Sequence, residues 1–256
     1  MAEKRQLSEN EKQRILKQHG RICFVDGAPI SEEEPVEYHH IKPFSDDGPT
    51  TLDNIAPVCK RHHLTIGTMS LQEYRDKLEL GRFFKDKNQE PKYLDDLIRY
   101  KKKRCGDKLR YEIKENVVSA YFQDSRHNYP LYACPATGWR YFYATLPVEY
   151  IENDRDLQPR ALRETSLWKL YRHFQIHTQL APSICRIDEK GVVLLFDGQH
   201  KAAAQIWGGR PMIECKIYLH PNARILSETN LEAHSTFRQM SFYSHELIQK
   251  YADVFG

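Results

Sequence analysis

The stretch YHHIKPFSDDGPTTLDNIAPVCKRHH, residues 38 to 63, limits the possible folds more than any other part of the chain. It holds four histidines, one asparagine and one cysteine in 26 positions. VEYHHI (36–41) and IAPVC (55–59) read as strands, separated by the turn-forming run KPFSDDGPTTLDN (42–54). A short helix is expected from Lys60 onward, which makes the whole a strand–loop–strand–helix (ββα) unit. Neighbouring residues on a strand point to opposite faces, so His39 and His40 cannot do the same job without a local bend. One imidazole can share a divalent cation with His63 of the helix, while the other faces away and activates a water. Asn54, at the loop's end, is placed to hydrogen-bond across the loop and hold the base.

A second donor set flanks this unit. Cys23-x-x-Asp26 precedes the first strand and Cys59-x-x-His62 follows the second, like two knuckles that could share a tetrahedral structural zinc. So small a unit buries little apolar surface, and a metal staple would offset that. The six cysteines are scattered over 256 residues, which argues against a secreted disulfide framework.

HHI-P (His39, His40, Ile41, Pro43), Asn54 and C-x-x-HH (Cys59, His62, His63) together resemble the HNH, or ββα-metal, endonuclease family, over roughly residues 8 to 80. The resemblance implies that His40 is the general base, that His39 and His63 hold the catalytic Mg2+ or Mn2+, and that Asn54 stabilises the loop. It implies DNA as the substrate. Two departures stand out: Asp26 and His62 occupy positions where many members carry cysteines. The turn SDDG also replaces the more usual Gly pair.

The rest of the chain is ordinary in composition. Hydrophobic residues make up 40% and charged residues 29%, mean hydropathy is -0.69, and net charge is +3. With no long apolar run and no apolar core in MAEKRQLSENEKQR, a cytoplasmic location is expected. LSENEKQRILKQHG carries a capping-box spacing at Ser8 and Glu11 and reads as a helix with Ile15 and Leu16 inward. Leu71, Tyr74 and Leu78 mark another helix. From Lys92 to Lys114 there are nine Lys/Arg against four Asp/Glu, a local net of +5. That run reads either as a solvated helix face or as a phosphate-tracking surface, with Arg99, Lys101, Lys102, Lys103 and Arg104 at its centre. YLDDLIRYKKKRC (93–105) reads as a helix that stops near Gly106, and DKLRYEIKENVVSAYFQ (107–123) reads as the start of another. SHELIQKYADVFG (244–256) reads as a helix with an abrupt end, which a longer parent chain would also give.

Beyond residue 124 the pattern turns to mixed α/β. VVLLFDGQHKAAAQIWGGRPMIECKIYL (192–219) reads as strand, sharp turn, helix, Gly pair and strand. Gly198 allows the turn, and the helix from Gln199 aims its free N–H groups, with Lys201, at an anion. Asp197 and His200 add polar contacts there, and Arg160 could supply a guanidinium fork. From LPVEYI (146–151) to IYLHP (217–221) the chain resembles the ParB/sulfiredoxin-like fold, closest to proteins with a DGQHR signature, here ending in Lys201. The resemblance implies that Arg160, Asp197, Gly198, Gln199, His200 and Lys201 bind nucleotide or DNA phosphates. Gln199 stands where sulfiredoxin needs a cysteine, so sulfinic-acid reduction is not expected.

The expected fold class is α+β: an HNH domain (1–90), a basic helical connector (91–124) and a ParB/sulfiredoxin-like domain (125–256). The expected function is metal-dependent hydrolysis of DNA phosphodiester bonds, with a second module that binds DNA or a nucleotide such as a nucleoside triphosphate. A homodimer is allowed, and the resemblance suggests phage defence as a setting. The alternatives are a non-cleaving DNA-binding regulator and a nucleotide hydrolase centred on the DGQHK corner (197–201).

Overall fold

A computed structural model describes residues 6–86, 91–101, 103–230 and 232. The architecture is α+β and divides into two compact units, Met1–Asp86 and Lys87–Gly256. Among the described residues no helix is long and apolar enough to cross a membrane.

The first unit opens with α1 (Glu9–His19), capped as its sequence predicts: the Ser8 hydroxyl accepts the Glu11 N–H and the Glu11 carboxylate accepts the Ser8 N–H. Its buried residue is Ile15, while Leu16 is half-buried, and α1 packs against the second strand of the hairpin that follows. Strands β1 (Glu37–His40) and β2 (Ile55–Val58) pair antiparallel, with His39 opposite Ala56 and His40 opposite Ile55. Helix α2 (Lys60–Ile66) follows at once, and α3 (Leu71–Lys85) is capped by the Ser70 hydroxyl. One core cluster joins Cys23, Val25, Ile30, Ala56, Val58, Ile66, Leu71 and Tyr74, and Ile15, Ile55, Leu80 and Phe83 are buried as well.

The second unit starts with α4 (Leu94–Tyr100). Residues 107–123 then depart from expectation: β3 (Arg110–Lys114), β4 (Val117–Phe122) and β5 (Ser125–Pro130) form an antiparallel meander. The cause is a period of two, with Tyr111 and Ile113 alternating with charged residues and β-branched Val117 and Val118 following. Gln123 and Asp124, both at positive φ, form the tight turn between β4 and β5. The expected helical connector is therefore one short helix, an irregular stretch and two strands of the second unit.

The remaining strands are β6 (Tyr132–Ala133), β7 (Arg140–Pro147), β8 (Ile151–Asn153), β9 (Ser183–Ile187), β10 (Val193–Asp197) and β11 (Met212–Leu219). They form one mixed sheet in the order β6-β7-β11-β9-β10-β8. Helices α5 (Glu164–Ile176) and α6 (Gln199–Trp207) pack on each other, and α6 buries Ala202, Ala203 and Ala204. A turn at 188–191 joins β9 to β10, its Asp188 carboxylate accepting the Lys190 and Val192 N–H groups. The helix expected at 244–256 lies outside the described residues.

Candidate metal and catalytic site

The loop between β1 and β2 is pinned by one side chain. The Asn54 amide donates to the carbonyls of Lys42 (3.1 Å) and Pro49 (2.9 Å), and its oxygen accepts the Lys42 N–H (2.9 Å). The Asn54 carbonyl accepts the Ile41 N–H at 2.8 Å. Gly48 has no substitute here, since a Cβ would stand 2.0 Å from the Lys42 carbonyl oxygen. The single Gly of SDDG therefore serves a close backbone approach inside the loop.

On β1, Glu37 and His39 share one strand face, and Tyr38 and His40 the other. His63 of α2 meets the first pair. Its ring lies edge-on to that of His39, centroids 5.7 Å apart, and its Nδ1 is 3.9 Å from Glu37 Oε2. His39 Nδ1 donates to the His40 carbonyl at 2.9 Å, which fixes the tautomer and leaves Nε2 with a free lone pair. Burial, and after it the nearby His63, outweigh that hydrogen bond and push the His39 pKa down. His39 thus offers a neutral imidazole suited to a divalent cation, with the His63 ring beside it. Glu37 was missed in the sequence, where a lone glutamate two residues before a histidine looks like any exposed strand charge.

On the opposite face, His40 Nε2 lies 2.9 Å from the Thr50 hydroxyl, and Phe44 packs edge-on against the ring. Burial and then His39 lower its pKa, so the ring stays neutral.

Three of the four expected zinc donors converge, Cys23, Cys59 and His62, and Asp26 lies beside His62. Cys23 Sγ and Cys59 Sγ each lie 3.3 Å from His62 Nδ1, and Asp26 Oδ2 lies 3.8 Å from it. Local chemistry shapes this knuckle: Gly27 turns at positive φ, the Asp26 carboxylate accepts the Ala28 N–H, and the Phe24 N–H donates to the Pro57 carbonyl, tying the turn to β2. Burial pushes the Cys23 thiol up and the His62 imidazole down. Burial also pushes the Asp26 carboxyl up, but the Ala28 N–H, Cys23, His62 and Arg61 together hold it below its usual range. Two thiols and an imidazole lie close enough together to hold a metal ion, with the Asp26 carboxylate beside the imidazole. Arg61, 3.2 Å from His62 Nε2 and 3.4 Å from Asp26, lies just outside.

The second corner is less uniform. A cavity of about 600 Å³ is lined by Gln158, Arg160, Arg163 and the residues from Asp197 to Lys201. Gly198 turns at φ 91°, as the anion-binding reading requires. Gln199, however, is buried and spent: its oxygen accepts the Leu94 N–H and its amide donates to the Arg160 carbonyl. His200 Nε2 accepts the Arg163 N–H at 3.0 Å, and Lys201 Nζ points to the carbonyls of Ala181 and Pro182. Arg160 is exposed, its Nε donating to Gln158, and Arg163 joins it as an exposed guanidinium not singled out in the sequence.

The basic run is broken up. Arg99 pairs with Asp96, Arg104 with Asp107, and Lys101 sits 3.9 Å over the Trp207 ring. Lys103 is exposed, Lys92 is buried, and Lys102 lies outside the described residues. A single basic helix face, as expected over 92–114, does not form, because helix ends at Tyr100 and strand begins at Arg110.

Comparison with known proteins places names beside this geometry. The family model HNH endonuclease matches residues 25–68, a span that includes every donor described in the first unit except Cys23. No curated protein matches the chain. Among solved structures, sulfiredoxin from Arabidopsis thaliana is similar at 24% identity, over 29% of this chain and 82% of that one, with a TM-score of 0.26.

Proposed function

We propose that the first unit is a metal-dependent DNA endonuclease of the HNH type. The observation that carries this is the division of the histidines: His39 and His63 face each other with a free Nε2 on His39, while a neutral His40 is held on the opposite face by Thr50. Mg2+ or Mn2+ held by His39 and His63, with Glu37 beside them, would neutralise charge on the scissile phosphate and the departing oxygen. With Nε2–H donating to Thr50, His40 presents Nδ1 as the base. It removes a proton from water, the hydroxide attacks phosphorus, and the bond from phosphorus to the leaving oxygen breaks. Asn54 positions His40 by fixing both ends of the loop that carries Thr50. Cys23, Asp26, Cys59 and His62 would hold a structural zinc that stiffens the same unit.

In the second unit, the exposed Arg160 and Arg163 beside the α6 N-terminus favour a site for a phosphate group of DNA or of a nucleotide. Hydrolysis there has no comparable support, since His200 Nε2 is already an acceptor for backbone.

The test is cleavage of supercoiled plasmid with Mg2+ or Mn2+, wild type beside His40→Ala. Nicking or linearisation by wild type alone is expected, with His40→Ala slower by a factor of about 100 or more. If neither protein cuts any DNA, modified DNA included, the binding-regulator reading takes its place. Phosphate release from a nucleotide that survives His40→Ala but not His200→Ala would move the enzyme to the second corner.

A further inference from the structure

The outer face of the mixed sheet carries an aromatic surface that nuclease chemistry does not use. Along β7, Phe142, Ala144 and Leu146 are buried, so Tyr141 and Tyr143 lie on the opposite face. Along β11, Ile213, Cys215, Ile217 and Leu219 are buried, which places Lys216 and Tyr218 on that same outer face. The register lines them up: Tyr132 of β6 stands opposite Tyr141, Tyr141 opposite Tyr218, and Tyr143 opposite Lys216.

The rings are close neighbours. Tyr132 stacks on Tyr141 with centroids 5.6 Å apart, and Tyr141 meets Tyr218 at 5.5 Å and Tyr143 at 5.8 Å. Trp139 extends the row, edge-on to Tyr218 at 6.1 Å. Yet the rings are not sealed from solvent: Tyr132 is 45% and Tyr143 47% exposed. In their midst, Lys216 Nζ sits 4.2 Å over the ring of Tyr141 and 4.9 Å over that of Tyr218. Among the described residues no carboxylate pairs with Lys216. Glu214, two residues away on the same face, bounds the patch at one end.

We infer that this tyrosine face binds single-stranded DNA, its unpaired bases stacking on Tyr141, Tyr143 and Tyr218 and a phosphate meeting Lys216. Charge and shape both select this occupant. A cation without a carboxylate partner, set among half-buried and exposed rings, complements a ligand that alternates planar rings with anions, and stacking on aromatics needs no sequence. A paired duplex keeps its base faces inside the stack and cannot use such a surface. The choice of DNA over RNA rests on the nuclease reading; the stacking argument does not.

The experiment is fluorescence anisotropy of the full chain with a labelled single-stranded DNA 12-mer in EDTA, so that neither metal nor cleavage is involved. Wild type and His40→Ala are expected to bind alike, so a failed nuclease reading leaves this measurement intact. Tyr141→Ala with Tyr218→Ala is expected to weaken binding tenfold or more, while the corresponding double Phe variant keeps it. Lys216→Gln is expected to reduce the slope of log affinity against log salt by about 0.7. Circular dichroism establishes that each variant is folded. If the alanine pair is not, the Lys216→Gln slope still decides. Single-strand binding unchanged by the alanine pair, a salt slope unchanged by Lys216→Gln, or equal competition by duplex DNA would each overturn the inference.

Discussion

Two side chains, Asn54 and Thr50, tie the loop of the first unit to its proposed base. Asn54 makes three side-chain hydrogen bonds that join the two ends of the 42–54 loop, and Thr50 within that loop is the partner of His40. Asn54→Ala removes all three bonds and leaves two carbonyls and an N–H to solvent. At about 1 kcal/mol each, partly recovered by water, the expected cost is roughly 1–3 kcal/mol of stability. The loss of cleavage should be larger than that cost suggests, because His40 loses its orientation. Asn54→Asp is the sharper probe: it keeps an acceptor for the Lys42 N–H but turns a carboxylate on the carbonyls of Lys42 and Pro49. Both variants are expected to melt earlier and to nick plasmid far more slowly, with DNA affinity in EDTA unchanged. Full cleavage by either would remove Asn54 from its positioning role. Asn54 stands out in the sequence because the HNH pattern is local, with every member within 26 positions, whereas Thr50 shows its contact with His40 only in the fold. Glu37 does not stand out, since only the packing of α2 against β1 brings His63 to it.

At the scale of elements, sequence and structure part where the outcome depends on distant partners. The strand–loop–strand–helix of the first unit was readable because turn formers and caps fix it locally. Residues 107–123 read as helix because Arg110, Glu112 and Lys114 around Tyr111 and Ile113 leave a short period of two that only strand pairing makes decisive. The order β6-β7-β11-β9-β10-β8 was likewise out of reach, since its pairings join strands up to some 70 residues apart in sequence. The α6 corner shows the same limit at its tip: the sequence placed Gln199, His200 and Lys201 together, but folding turns Gln199 to α4 and Lys201 to a neighbouring loop. His200 then makes a testable structural claim. Burial, then Arg163 and Arg160, lower its pKa, and its Nε2 accepts the Arg163 N–H. A histidine depressed in the fold contributes stability that is fully present above its unfolded value of about 6.5 and is lost as pH falls through the folded value. Denaturant unfolding of wild type should therefore weaken as pH drops below about 6.5, and His200→Gln should flatten that part of the profile. An unchanged slope would mean that His200 is not held neutral by its surroundings.

For the whole molecule, the division at Asp86 and Lys87 separates two units, each with its own core. The second unit buries a mixed sheet under α5 and α6, whereas a core cluster of the first includes Cys23, a proposed zinc donor. A core with a metal donor built into it would gain from a metal cross-link, and zinc affinity would then be part of its folding free energy. The consequence is selective. Calorimetry of the zinc-loaded chain should show two transitions, and a strong chelator or Cys59→Ala should lower the temperature of one while leaving the other in place. Elemental analysis should find about one zinc per chain in wild type and less in Cys59→Ala. Reloading with zinc should release protons, because burial keeps the Cys23 thiol protonated until a metal displaces its proton. Cleavage should follow the metal-sensitive transition, and single-strand binding on the tyrosine face should follow the other, since its residues all belong to the second unit. If chelation moved both transitions or neither, the zinc would not be the staple of the first unit. The 3.3 Å approaches of Cys23 and Cys59 to His62 would then be ordinary packing around a buried imidazole.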